Sequence, residues 1–183
     1  MNGKFEQKEI VGLLKKFKYS KFNAKLSGKS MEPFFNKSKK LKIVYANQKL
    51  IKFGDIITFR KSKKICAHRL LGTKNKGGKK FFITKGDNSL GFDEPVNARN
   101  MVGKVIELNG RKIHEFPLRQ LNVLIALFSL AQGKLFDFFY RKFKSNKFFT
   151  DRKSAWQKFL RPAILRATNP ALLVPELINS RKG

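Results

Sequence analysis

The sequence predicts a mainly β domain, a small antiparallel barrel or ribbon, with an N-terminal helix before it and C-terminal helices after it. Three observations carry this prediction. Between residues 22 and 113 the apolar residues come in short runs of five to eight, rich in Ile, Val, Phe and Thr, as strands do. The spacers between the runs are too short for crossover helices, so the sheet is expected to be mostly antiparallel. On either side of this region the apolar period changes to that of a helix.

Residues 6–18 read as the first helix. Ile10, Leu13, Leu14 and Phe17 fall at i, i+3, i+4 and i+7, with Lys15, Lys16 and Lys18 off that stripe. The strand runs are LKIVY at 41–45, DIITFR at 55–60, ICAHRLLG at 65–72, KFFITKG at 80–86 and VGKVIEL at 102–108. KNKGGKK at 74–80 signals a hairpin, and Asn109-Gly110, between VIEL and RKIHEF, signals a second. Past Pro117 helical spacing returns through Leu118, Leu121, Ile125 and Phe128 to about Phe143, with Gly133 as a candidate break. Two shorter segments, 152–160 and 170–178, are bounded by Arg161-Pro162 and Asn169-Pro170. The chain divides into an N-terminal amphipathic helix (1–21), a β domain (22–116) and a basic helical C-terminal extension (117–183).

Composition narrows the function. Of 183 residues, 41 are Lys or Arg and 12 are Asp or Glu, a formal net charge of +29. Between 33 and 86 the one acid, Asp55, faces sixteen Lys or Arg, so the whole body is cationic. Such a chain suits an anionic membrane surface or nucleic acid, or is a solvated basic surface. The aromatics form no single-strand stacking platform, which ranks nucleic acid below membrane. Cys66 is the one cysteine, which excludes a disulfide scaffold. One Cys and two His cannot fill a tetrahedral zinc shell without carboxylates. No apolar stretch near the N-terminus is long enough for a secretory leader. The longest uncharged run, 120–133, is too short to cross a hydrocarbon core of about 30 Å. The expected location is therefore cytoplasmic or peripheral to a membrane. Residues 118–149 combine a Leu/Ile/Phe face with Arg119, Lys134, Arg141, Lys142, Lys144 and Lys147. Such a helix either lies in a membrane interface or covers the sheet.

Four segments carry chemistry. In LSGKSMEP (26–33) Ser30 follows a glycine turn, where backbone N–H groups can point at an oxyanion. Ala67-His68-Arg69 lies in a strand run. Lys85-Gly86-Asp87-Asn88-Ser89 follows another, and Asp93 comes six residues after Asp87. A Ser, a His and one or two Asp supply nucleophile, general base and base-orienter for acyl transfer. On residue types alone this is weak, because any chain of this length holds them.

The order of the motifs adds to it. SGKSMEP (27–33), GDIITF (54–59), AHRLLG (67–72), TKGDNS (84–89) and VGKV (102–105) occur in that sequence. Together they resemble the type I signal peptidases, serine endopeptidases related to LexA-like autoproteases, over about residues 26–108. The resemblance implies a β domain of LexA/signal-peptidase type that cleaves a peptide or protein substrate without cofactor or metal. It places the nucleophile at Ser30, with Met31 and Pro33 completing its box. The Ser30 amide and Ser27 would bind the oxyanion, and Met31 would contact substrate. His68 stands where most bacterial members carry Lys, as in the endoplasmic-reticulum-type branch. In that branch an Asp of the GDN box supports the ring, which points to Asp87. Asp93 matches a second acid.

The physical chemistry agrees with a His branch. A Lys base must be desolvated to lose its proton near neutrality, whereas imidazole titrates there already and needs only orientation. Cys66 reads as a small hydrophobe rather than a nucleophile, His114 as surface, and Asp55 as part of a turn. Two features depart from the family pattern. No membrane-spanning helix precedes the Ser box, and the position after Pro33, often Thr, is Phe34, which predicts an altered substrate groove. A LexA-like self-cleaving regulator and a non-enzymatic cationic binding protein are the alternatives; the first needs a DNA-reading module, for which residues 1–25 are too short.

Overall fold

The computed structural model describes residues 21–25, 28–32, 34, 40–62, 64–143 and 164. Among the described residues eight strands form one antiparallel sheet that curls into a half-barrel, followed by a long helix. The strands are β1 (Lys21–Lys25), β2 (Lys40–Val44), β3 (Ile56–Lys61), β4 (Lys64–Lys76), β5 (Lys79–Lys85), β6 (Val96–Asn97), β7 (Met101–Leu108) and β8 (Arg111–Lys112). The helix, α1, spans Leu118–Phe143. The sheet order is β1-β2-β7-β3-β4-β5-β6, with β8 paired to β7.

The five strand runs expected from the sequence are β2, β3, β4, β5 and β7, and both expected hairpins are present. β3 is central, and its four residues Ile56–Phe59 are all buried. A strand covered on both faces reads as a continuous apolar run rather than an alternation. Ile56 joins one core, with Met31, Phe34, Leu41, Ile43, Val105, Leu108 and Ile125 of α1. Ile57 and Phe59 join the other, with Leu70, Phe82, Val96, Ala98 and Met101. Each such side chain contributes about 1.5–3 kcal/mol on burial. Register shifts between Lys42 and Ile43, between Thr58 and Phe59, and between Leu70 and Gly72 bend the sheet where bulges do.

α1 closes one face and is fastened there by polar bonds. Arg119 donates to Asp55 Oδ1 (3.0 Å) and to the Phe53 carbonyl (3.0 Å). Asp55 also accepts from Lys104 (3.2 Å) and from the Lys52 amide (2.8 Å). Its carboxylate is thus a structural clamp, as the turn reading expected.

Several expectations change. α1 runs through Gly133 without a break. A Cβ there would lie 2.5 Å from the Phe92 ring, so the glycine makes room for Phe92 rather than ending the helix. The estimate that nothing is long enough to cross a bilayer rested on an uncharged run. Lys134 ends that run and Asp137 follows it, but neither ends the helix. Leu118–Lys142 is long and apolar enough to cross a membrane by length and composition. The expected helix at 6–18 and the segments at 152–160 and 170–178 lie outside the described residues.

Candidate active site

Three elements converge on one point. The turn holding Ser30 is built from 29–32, with the Glu32 amide bonded to the Lys29 carbonyl (3.1 Å). The turn after β5 packs directly on it. Asn88 donates its amide to the Ser30 carbonyl (2.8 Å) and its side chain to the Lys29 carbonyl (3.1 Å). Gly86 is what permits this approach: a Cβ there would lie 2.6 Å from the Ser30 carbonyl oxygen, and backbone cannot easily give way. The glycine of the TKGDNS motif therefore sets the height of the serine.

His68 comes from the middle of β4. Its Nε2 lies 2.9 Å from Ser30 Oγ, and its Nδ1 lies 2.6 Å from Asp93 Oδ2. Residues 30, 68 and 93 thus form a Ser-His-Asp chain of hydrogen bonds. The same Asp93 oxygen accepts from Thr84 Oγ1 (2.8 Å), and the Asp93 amide donates to the Thr84 carbonyl (2.8 Å). Two bonds to β5 thus fix the carboxylate behind the ring. The Phe59 ring meets the imidazole edge-on at 5.8 Å. The His68 side chain is 11% exposed and Asp93 16%, so the pair is shielded, while Ser30 is half-buried. With Nδ1 protonated toward Asp93, Nε2 is the acceptor for the serine hydroxyl, the tautomer a general base requires.

Asp87 is not the acid behind the ring. It lies on the other side of the sheet, paired with Arg69: Nε to Oδ1 at 2.8 Å and Nη2 to Oδ2 at 2.7 Å. The reason is strand parity. Successive residues point to opposite faces, so Arg69 must face away from His68. Arg69 is fully buried. Its Nη1 reaches the Gly54 carbonyl (3.1 Å) and Asn122 Oδ1 of α1 (2.6 Å), and its guanidinium sits 5.1 Å from the Phe34 ring centroid. Phe34, 1% exposed, therefore supports that cation and lines no substrate groove. Met31 is likewise in the core at 2% exposure, so it anchors the serine turn from below instead of contacting substrate. Ser27 and Pro33 lie outside the described residues. His114 is at the surface, bonded to the Ile106 carbonyl (3.2 Å).

Cys66 packs against Ile57 and Phe59 in the second core, and burial pushes its thiol above the ordinary range. A protonated, half-buried thiol is a poor nucleophile. Cys66→Ala is expected to cost about 1 kcal/mol of stability, measured in denaturant melts.

Two supports were not foreseen. Lys85, cross-strand from Arg69, is buried and donates to Gln132 Oε1 of α1 (2.7 Å). Burial, helped by Arg69 and opposed by Asp87, lowers its pKa to about 8. In a chain with so many lysines nothing marks this one except its place between the strand and the GDN turn. An unfolded lysine titrates near 10.4, so above about pH 8 the folded chain holds fewer protons than the unfolded one. Stability should rise with pH between those values, and the burial penalty is fully present below about 8. Lys85→Met should flatten that rise, worth on the order of 1–3 kcal/mol, in denaturant melts compared across the window.

The second support is Gly133. Phe92, next to Asp93, fills the space over it, while Gly91 faces Phe136 at 3.1 Å for an added Cβ. Gly→Ala in a helix normally stabilises by about 1 kcal/mol. Here overpacking, typically about 1–3 kcal/mol, opposes it. Gly133→Ala should push Phe92 and the Asp93 segment outward, loosening the Asp93–His68 contact, read as a shift of the His68 ring resonances by NMR. Unmoved ring resonances with raised Tm would show that the helix does not position the acid.

Among the described residues no buried side-chain polar atom lacks a partner. No protein-family model and no curated protein matches the chain.

Proposed function

We propose that the chain is a serine endopeptidase of signal-peptidase type, working through Ser30, His68 and Asp93. The single observation that supports this reading most is the continuous pair of contacts from Ser30 Oγ through the His68 ring to Asp93, 2.9 and 2.6 Å.

In this reading Ser30 Oγ attacks the scissile carbonyl carbon while His68 Nε2 takes its proton. Asp93 holds the ring in register and stabilises the imidazolium that forms. The oxyanion is neutralised by backbone N–H donors of the serine turn. The imidazolium then protonates the departing amine. Water attacks the acyl-enzyme with His68 again as base, and the peptide acid leaves with Ser30 regenerated. The ordered motifs SGKSMEP, AHRLLG and TKGDNS, with His68 in place of lysine, support the signal-peptidase assignment and its LexA-related fold. Incubation with a panel of peptides of varied sequence tests it. Cleavage by the wild-type chain, lost in Ser30→Ala, is expected; equal cleavage by both overturns the reading.

A further inference from the structure

α1 has a packed face and, opposite it, an exposed apolar face, where a helix on a water-soluble domain needs one apolar face. On the first, Asn122, Ile125, Ala126, Ser129 and Gly133 are buried against the sheet and the Asp93 segment. On the second, Leu124, Leu127, Phe128, Leu135, Phe138 and Phe139 stand 45% to 62% exposed. At about 100° per residue these six share an arc of about 120°, running about 22 Å along the helix. The one charged residue within the arc is Lys142, at its far end. Lys134 and Arg141 border it on one side. A face of this kind, apolar in the middle and cationic at the margin, matches the boundary between acyl chains and anionic headgroups.

Length and composition would also allow the helix to cross a bilayer, but its packed face argues for lying flat. Asn122 is bonded to buried Arg69, Gln132 to buried Lys85, and Arg119 to Asp55. A spanning helix would carry these polar groups and the sheet edge into hydrocarbon, at several kcal/mol for each group left without a partner. A second copy is disfavoured as occupant, because it would bring another +29 against the same face. An anionic lipid surface is attracted by that charge instead.

We infer that the exposed face of α1 docks the protein on an anionic lipid bilayer, the helix lying in the interfacial plane. The Asp93 segment rests on the opposite side of the same helix through Phe92 and Gly133, so docking sets the candidate site close to the lipid surface.

Vesicle flotation with the full chain tests this at physiological salt. The probes are phosphatidylcholine vesicles with about a third phosphatidylglycerol, and pure phosphatidylcholine. Wild type is expected to float with the anionic vesicles and at least about tenfold less with the neutral ones. Leu135→Glu/Phe138→Glu should bind the anionic vesicles at least about tenfold more weakly while melting as wild type does. Leu127→Ser, on the same arc, gives an independent weaker loss. Ser30→Ala should float like wild type, so the result does not depend on the peptidase reading. Three outcomes would overturn the inference. They are wild type left at the bottom of the gradient, wild type bound equally to both vesicles, and the double variant floating undiminished. A dimer dissolved by the double variant, without vesicle binding, would assign the face to a second copy.

Discussion

Ser30→Ala should cleave peptide at least about 10⁴-fold more slowly than wild type, and His68→Ala should match it, with no further loss in the double variant. The two groups act as one unit, since the hydroxyl is nucleophilic only while the imidazole accepts its proton. Loss of either leaves binding and oxyanion stabilisation alone. Neither change should unfold the chain. Ser30 sits in a turn held by main-chain bonds from Glu32 and Asn88, which alanine keeps. His68 is replaced on a strand held on both edges by β3 and β5. A fall in Tm of a few degrees is expected, about 1–2 kcal/mol. Steady-state kinetics with thermal melts of the same samples separates the two effects. Additive losses in the double variant would mean that the residues work independently, and the chain of contacts would lose its meaning.

Asp93→Asn and Asp87→Asn should fail in opposite ways. Asp93→Asn replaces an acceptor at His68 Nδ1 with an amide that can donate, favouring the wrong tautomer. kcat should fall by about 10⁴, while Thr84 still holds the side chain and stability changes by about 1–2 kcal/mol. Asp87→Asn leaves the chemistry intact but strips a fully buried guanidinium of its carboxylate. Removing one partner of such a pair costs about 3–5 kcal/mol, which in a chain of this size is a Tm fall of roughly 10 °C or more. Activity measured well below that Tm should stay within about tenfold of wild type. Circular-dichroism melts and kcat on both variants decide the matter. If Asp87→Asn loses kcat and Asp93→Asn does not, the roles of the two acids are reversed.

The two acids also show where sequence reading succeeds and where it stops. Both lie in the right box, and both were candidates from residue type and motif. Their division of labour was encoded in strand parity: Arg69 beside His68 must point away from it, and a buried Arg needs an acid. Parity could have assigned Asp87 to Arg69, had Arg69 been recognised as buried; in a chain with 41 basic residues it looked like surface. The central strands were legible because β3 and its neighbours bury both faces and so concentrate Ile, Val and Phe. β1, KFNAK, offers two apolar residues between polar ones, and β6 is two residues long; neither produces a countable period. Motif position puts Met31 and Phe34 on the substrate side, yet they belong to the core under the serine turn. The position of α1 was open because its spacing fits both a sheet-packed and a lipid-facing helix. The structure packs one face on the sheet and leaves large apolar side chains of the other exposed.

The most direct test of the central claim is intact-mass measurement after exposure to a serine-directed acylating probe, on wild type, Ser30→Ala and His68→Ala. The account predicts one adduct on wild type, mapped to Ser30 by peptide digestion, and none on either variant. An adduct that persists in Ser30→Ala, or a wild type that stays unlabelled while a general serine hydrolase control reacts, would contradict it.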